Sequence, residues 1–330
     1  MDIFLQQVIN GLTLGAVYAM VALGYTMVYG IVQLINFAHG EVVMIGAMVA
    51  FSVISALVAA GTGLPPVLIV AAGVLVAIPA CSVVGFAMER IAYRPLRGVP
   101  RLAPLITAIG ISIILQHVAM LVWSRNPIAF PQIIPTVRFE FAGATITGVQ
   151  VAIIGLSAAL MAGLIAIVYR TRLGIAMRAT AQNPQIAGLM GIDIDRIIAA
   201  TFVIGAALAA VAGVMVGTYY GIAHYTMGSL LGLKAFCAAV LGGIGNLGGA
   251  MLGGLLLGVV EALGTGYIGD LTDLCRYAVT ASALGERCGP GLHFVLFGSN
   301  YQDVFAFIVL IAVLVFRPQG ILGERVGDRA

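Results

Sequence analysis

LQQVINGLTLGAVYAMVALGYTMVY, residues 5–29, decides the fold class of this chain. The run carries no charged side chain, and wound as a helix at 1.5 Å per residue it exceeds the hydrocarbon core of a bilayer, about 30 Å thick. Similar runs recur to the end of the sequence, at about 41–60, 66–88, 103–123, 149–169, 197–220, 229–245, 248–268 and 303–316. Across 330 residues, 61% are hydrophobic and 9% charged, against the roughly 25% charged residues of a soluble domain. A membrane β-barrel would need alternating strands of about ten residues, whereas these runs are apolar on every face. The expected fold is all-α: a polytopic transmembrane bundle of eight to ten spans, nine by this reading, forming one domain over residues 1–330.

The basic residues orient the bundle, because cytoplasmic loops carry the excess of Lys and Arg. Arg90, Arg94, Arg97 and Arg101 follow the third run, Arg170, Arg172, Arg178 and Arg196 the fifth, and Arg317, Arg325 and Arg329 the last, so eleven of the 16 basic residues share one side. Arg125, Arg138, Arg276 and Arg287 fall on the other side, and Lys234 alone lies within a span. Nine spans with the N-terminus outside and the C-terminus inside satisfy this distribution. The first run begins at Asp2 rather than at a basic segment and lacks a small-residue cleavage site, so it reads as a span and not as a signal peptide. Cys81 and Cys237 lie in apolar spans and are expected to be inert. Cys275 and Cys288 share the external loop 269–302, where an oxidising periplasm would permit a disulfide between them.

Enzymatic and nucleotide-binding signatures are missing. The only lysine, Lys234, is not in a phosphate-binding G-x-x-x-x-G-K-[ST] context, and neither H-E-x-x-H nor C-x-x-C occurs, so no metal or cofactor site is expected. Gly243-Ile244-Gly245-Asn246-Leu247-Gly248 spells G-x-G-x-x-G, but without a preceding soluble strand it reads as a tight helix break between two spans. The Asn-Pro pairs at 126–127 and 183–184 lack the alanine of the aquaporin turn and fall in loops. Nothing suggests nucleic-acid binding. Small residues at Gly11 and Gly15, and again from Gly242 to Gly258, predict closely packed helices.

The loop 170–196 contains a short amphipathic helix by pattern. Asn183 is its N-cap, Pro184 its first-turn proline and Gly191 its end, while Ile186, Leu189 and Met190 share a face. Such a helix fits either a groove on a partner protein or the headgroup layer. Charged side chains inside spans are costly, which makes them informative. Lys234 and Glu261 are in neighbouring spans and fit a buried structural pair, although a place on a substrate route is open too. The stretch Asn36-Phe37-Ala38-His39-Gly40-Glu41 is either a re-entrant break, offering helix termini to a charged substrate, or an ordinary turn. Asn10, Thr13 and Gln33 fit a translocation path as well as interhelical hydrogen bonding.

The chain closely resembles the permease subunits of branched-chain amino acid ABC importers. The resemblance is carried by QQVINGLTLGAVYAMVALGYTMVYGIVQLINFAHGEVVMIGA at 6–47, RATAQNPQIAGLMGID at 178–193, KAFCAAVLGGIGNLGGAMLGG at 234–254 and FRPQGILG at 316–323. It implies a bacterial inner-membrane importer subunit for hydrophobic amino acids that is not itself an enzyme. The implied partners are a second permease, two cytoplasmic ATPases and a periplasmic binding protein. It also makes the internal loop 170–196 the segment that meets an ATPase, with Arg178, Asn183, Pro184, Ala187, Gly188 and Gly191 in the contact. Related scaffolds carry urea or short amides, and an ion-coupled secondary transporter is the reading from another class. The external loop 269–302 is longer than the resemblance leads one to expect.

Overall fold

A computed structural model describes residues 2–100, 102–135, 137–141, 143–271 and 302–323. Cys275, Cys288 and most of the loop 269–302 lie outside the described residues. Among those described, nine helices occupy the stretches where the sequence places spans: α1 (Asp2–Val32), α2 (His39–Ala59), α3 (Pro66–Ala87), α4 (Leu102–Val122), α5 (Gly148–Arg170), α8 (Ile194–Tyr220), α9 (Met227–Gly242), α10 (Leu247–Leu271) and α11 (Gln302–Phe316). The helices α6 (Arg172–Gln182) and α7 (Pro184–Leu189) lie between α5 and α8. Among the described residues, seven helices are long and apolar enough to cross a membrane. At 16 residues, α9 is not: at 1.5 Å per residue it spans roughly 24 Å; the described part of α11 has 15 residues.

Basic side chains mark one end of the bundle. Ile321 N donates to Leu241 O and Leu322 N to Gly242 O, which ties the segment after Arg317 to the turn between α9 and α10. Near the opposite end, the N-terminal turns of α1 meet the hairpin β2 (Arg138–Phe141) and β3 (Ala144–Thr147) through Gln6, whose Nε2 donates to Thr145 O at 3.0 Å. The described beginning and end of the chain therefore sit at opposite ends of the bundle. The loop after α4 holds more order than the sequence suggests. Its β1 (Ile128–Ala129) pairs antiparallel with β4 (Ile222–Ala223), and Thr147 with Gln150 closes a capping box on α5.

Glycine sets the central packing. The helices α1 and α10 lie antiparallel so close that a Cβ on Gly258 would collide with Gly15 and Gly11 backbone, and one on Gly254 with Ala19. Without a hydrophobic driving force between helices in lipid, such backbone approach is what association draws on. The turn joining α9 to α10 needs glycine for another reason, since Gly243 (φ +105) and Gly245 (φ +98) occupy backbone regions that side chains disfavour. The G-x-G-x-x-G run is thus a helix break, as its sequence context suggests. Cys81 and Cys237 are buried free thiols.

Between α1 and α2 the chain doubles back. A Cβ on Gly24 would strike the His39 imidazole, so the first residue of α2 lies beside a residue eight positions before the end of α1, about 12 Å back along that helix. Residues 33–38 make this return without helix, starting at Gln33 with φ 54. The helix α2 therefore begins inside the bundle, and α9 begins beside it, with Gly228 and Gly232 packed on Gly40. This favours the re-entrant reading of 36–41 over the ordinary turn.

Candidate functional site

Two helix N-termini converge on Glu41. It belongs to the first turn of α2 and is fully buried. Its Oε1 accepts hydrogen bonds from Gln116 Nε2 at 2.8 Å, Ser229 Oγ at 3.0 Å and Ser112 Oγ at 3.1 Å, so α4 and α9 supply the donors. Gln116 Nε2 also donates to Ser229 Oγ at 2.7 Å. Glu41 Oε2 is buried without a partner. A carboxylate in the first turn of a helix is favoured by the partial positive charge there, and the three donors offset the remaining cost of burial.

The neighbours of Glu41 complete a polar strip along the doubled-back chain. Asn36 Oδ1 accepts from Tyr93 OH at 2.8 Å and from Ala38 N at 3.1 Å, fixing the turn that leads into α2. His39 is buried with Nε2 unpartnered and its ring edge-on to Tyr25 at 4.9 Å. Ser229 is exposed and followed by Leu230, 60% exposed, while Ile113, next in sequence to Ser112, is 50% exposed. Polar atoms at this depth, on a face otherwise fit for lipid, need water or another chain beside them.

Asn10 and Thr13 are elsewhere. Asn10 Oδ1 accepts from Gln150 Nε2 at 3.0 Å near the opposite end, and buried Thr13 donates to Ile9 O within its own helix at 2.9 Å. Lys234 and Glu261 do come together: Nζ lies 2.7 Å from Glu261 Oε1, and the two side chains are 9% and 2% exposed. Asp303 joins them at 2.5 Å from Nζ, and Tyr18 OH donates to Glu261 Oε2 at 3.1 Å. One ammonium between two carboxylates links α9, α10 and α11 around Tyr18 of α1. At the basic end, Arg97 bridges Glu89 and Asp195, and Arg94 pairs with the same Asp195, clasping the segment after α3 to α8.

Also at the basic end, α6 packs on α1, α5 and α8, and α7 on α6 and α8. The single helix expected in loop 170–196 is two, because Thr171 caps α6 through Gly174 N at 3.2 Å before Asn183 breaks it. Asn183 then caps α7, accepting from Ile186 N at 3.1 Å, and Pro184 opens its first turn. Ala187 is buried beneath, Gly188 packs near Ile194, and Gly191 turns the chain with φ +86. Ile186, Leu189 and Met190 point outward at 57%, 87% and 79% exposure. Arg178 stacks over Tyr169, its Cζ 5.1 Å from the ring centre.

Sequence reasoning missed Ser112, Gln116, Ser229 and Asp303. The available signal was each polar side chain within or beside an apolar run, but one polar residue per helix has no periodicity to reveal a shared target. Among the described residues, no group of three or more His, Cys, Asp or Glu side chains could hold a metal ion.

No solved structure matches the chain. The family model described as branched-chain amino acid transport system permease component matches residues 7–314. The high-affinity branched-chain amino acid transport system permease protein BraD of Pseudomonas aeruginosa is 47% identical over 326 residues, covering 97% of this chain and 96% of that protein. LivH of Escherichia coli K12, named for the same transport role, is 44% identical over 327 residues, again covering 97% and 96%. A probable LivH of Methanocaldococcus jannaschii is 29% identical over 317 residues. A multi-pass helical chain, lacking a nucleotide-binding motif and matched to these permeases almost end to end, belongs to the branched-chain amino acid transport system permease family.

Proposed function

We propose that the chain is the membrane-spanning subunit of an ATP-driven importer of branched-chain amino acids, with ATP hydrolysed on separate cytoplasmic subunits. The observation that carries this reading is similarity to BraD and LivH along 97% of the chain. The basic end is then cytoplasmic, the membrane is the bacterial inner membrane, and the partners are a second permease, two ATPases and a periplasmic binding protein. The chain itself is not an enzyme.

Energy enters through α7. Its apolar face of Ile186, Leu189 and Met190 fits a groove on an ATPase as a helix-in-groove contact. Because α7 packs on α6 and α8, and α6 on α1 and α8, a displacement of α7 reaches helices packed against α2, which carries Glu41. The cargo path runs along the face holding Gln116 and Ser229, where a second permease chain would complete the wall and shield these polar atoms from lipid. There Ser229 and Gln116 meet the ammonium of the cargo, Glu41 buried behind them supplies the counter-charge, and Ile113, Leu230 and Leu233 accept an aliphatic side chain. Asn36 and His39 hold the doubled-back segment that brings α2 to this point.

The test is leucine uptake by the reconstituted complex. Glu41→Gln keeps size and hydrogen-bonding capacity but removes charge, and it is expected to reduce uptake at least about tenfold while the complex purifies intact. Uptake equal to the wild type would reject Glu41 as the counter-charge to the ammonium. Competition by urea or short amides as effective as by leucine would reject the substrate class.

A further inference from the structure

A second candidate binding site lies at the basic end, away from Glu41. A cavity of 90 Å³ opens between α1, α5, α6 and the turn before α10. At about 10–15 Å³ per water-sized occupant, it has room for roughly six to nine non-hydrogen atoms. Its wall is apolar, formed by Met27, Ile31, Val168, Met177 and Leu247, and Arg178 stands at the rim. Thr26, 1% exposed, is among the residues around the cavity, and its hydroxyl is buried without a hydrogen-bond partner. A buried hydroxyl left unpaired costs free energy that a ligand or ordered water would recover.

We propose that this cavity binds a branched aliphatic carboxylate that lacks an ammonium group, and that its occupancy restrains α6 against α1 and so regulates import. The shape and chemistry choose the ligand. The apolar wall suits an isobutyl or sec-butyl group, and the Thr26 hydroxyl provides a donor to an oxygen next to the carboxylate. Arg178, whose guanidinium stacks over Tyr169, is the one cation among the lining residues and would pair with the carboxylate. The lining contains no acidic side chain, so an amino acid would bring its ammonium into a site with nothing of opposite charge to receive it. A 2-oxo acid with the carbon skeleton of a branched-chain amino acid meets every requirement. Its presence in the cytoplasm would report that imported amino acid is already being deaminated.

The regulatory half of the proposal rests on the import reading above, whereas binding does not. The ligand would bridge Arg178 on α6 to Thr26 and Ile31 on α1, coupling the ATPase-facing hairpin to the helix packed on α10. Two substitutions isolate the site. Thr26→Val keeps the shape and removes the hydroxyl. Gly30 faces the cavity, with the Gly245 Cα 3.8 Å from where a Cβ would stand, so Gly30→Leu has room at its first carbon and fills the space beyond.

The experiment measures equilibrium binding of labelled 4-methyl-2-oxopentanoate to the purified complex in lipid nanodiscs, with unlabelled leucine as competitor. Saturable binding is expected, weakened roughly fivefold by Thr26→Val, the worth of one hydrogen bond, and abolished by Gly30→Leu. Leucine should displace the label only at concentrations about tenfold or more higher, because its ammonium is desolvated without a partner. The carboxylate should inhibit leucine uptake in the wild type, while Thr26→Val takes up leucine normally and resists inhibition. Absence of saturable binding, or binding unchanged in both variants, would overturn the proposal. Displacement by leucine at lower concentrations than by the oxo acid would overturn it too, and would assign the cavity to the cargo route. Failure of the wild type to import leucine while the oxo acid still binds would fall on the import reading alone.

Discussion

Replacing Lys234 by Met should be among the most damaging single changes in the bundle, and far worse than replacing either of its carboxylate partners. Lys234 pairs with Glu261 at 2.7 Å and with Asp303 at 2.5 Å, and the Lys234 and Glu261 side chains are 9% and 2% exposed. Removing the ammonium leaves two carboxylates without a counter-charge, and breaking a buried pair from one side costs about 3–5 kcal/mol. Glu261→Gln instead leaves one ammonium facing one carboxylate, so its cost is that of a charge-assisted hydrogen bond, roughly 1.5–3 kcal/mol. Because the network joins α9, α10 and α11 to Tyr18 on α1, the loss should appear as unfolding and not merely as local disorder. Reversible unfolding in mixed micelles with increasing denaturing detergent measures each variant. The triple change Lys234→Met, Glu261→Gln, Asp303→Asn removes all charge and should recover most of the loss of the single Lys variant. Equal costs for Lys234→Met and Glu261→Gln, or a triple variant worse than Lys234→Met, would refute the account of the network as a mutually neutralising cluster.

Other consequences follow from local geometry. Gly258→Leu puts a side chain where α10 meets Gly15 and Gly11 backbone and should cost at least about 3 kcal/mol or prevent folding, whereas Gly155→Leu, with nothing within 4 Å of its Cβ, should express and fold normally; comparing yields of monodisperse protein decides it. Asn183→Ala removes the cap of α7 and should cost about 1 kcal/mol locally, seen as faster amide exchange over 184–189 with unchanged global unfolding. Arg97→Met strips Glu89, whose side chain is 2% exposed, of its partner and should destabilise by about 3 kcal/mol in the same detergent titration; combining it with Glu89→Gln should restore most of that.

The bundle was legible in the sequence because lipid imposes one strong rule. Each span must be apolar and about 20 residues long, and the runs at 66–88, 149–169 and 197–220 correspond to α3, α5 and α8 within a few residues at either end. The rule weakens where helices stop inside the membrane. Composition alone counts 229–245 as a span, yet α9 starts within the bundle beside Gly40, and its 16 residues fall short of a full crossing. The helix α6, N-capped by Thr171, which accepts from Gly174 N, was missed because its 11 residues are too few for a hydrophobic stripe to announce it. The hairpin at 138–147 has strands too short for alternation to be read.

The functional side chains divide in the same way. The intramembrane charges of Lys234 and Glu261 were conspicuous against apolar neighbours, but Asp303 sits at the edge of its run, where a charge is unremarkable. Glu41 was visible as a charge beside a helix start. Its partners Ser112, Gln116 and Ser229 are separated from it by 71 to 188 positions in sequence, and only the doubling back of residues 33–38 brings the four together. Asn183, Pro184 and Gly191 were readable because capping is local chemistry.

The central claim is that energy for import enters through α7 from a partner that hydrolyses ATP. The most direct measurement is leucine uptake into proteoliposomes holding the purified complex and its binding protein, with ATP supplied or withheld on the cytoplasmic side, for the wild type and for Leu189→Glu, which places a charge on the most exposed apolar side chain of α7. The account predicts uptake by the wild type only with ATP, and loss of uptake or of ATPase association in Leu189→Glu although the permease remains folded. Uptake sustained by a proton gradient without ATP, or unaltered by Leu189→Glu, would contradict it.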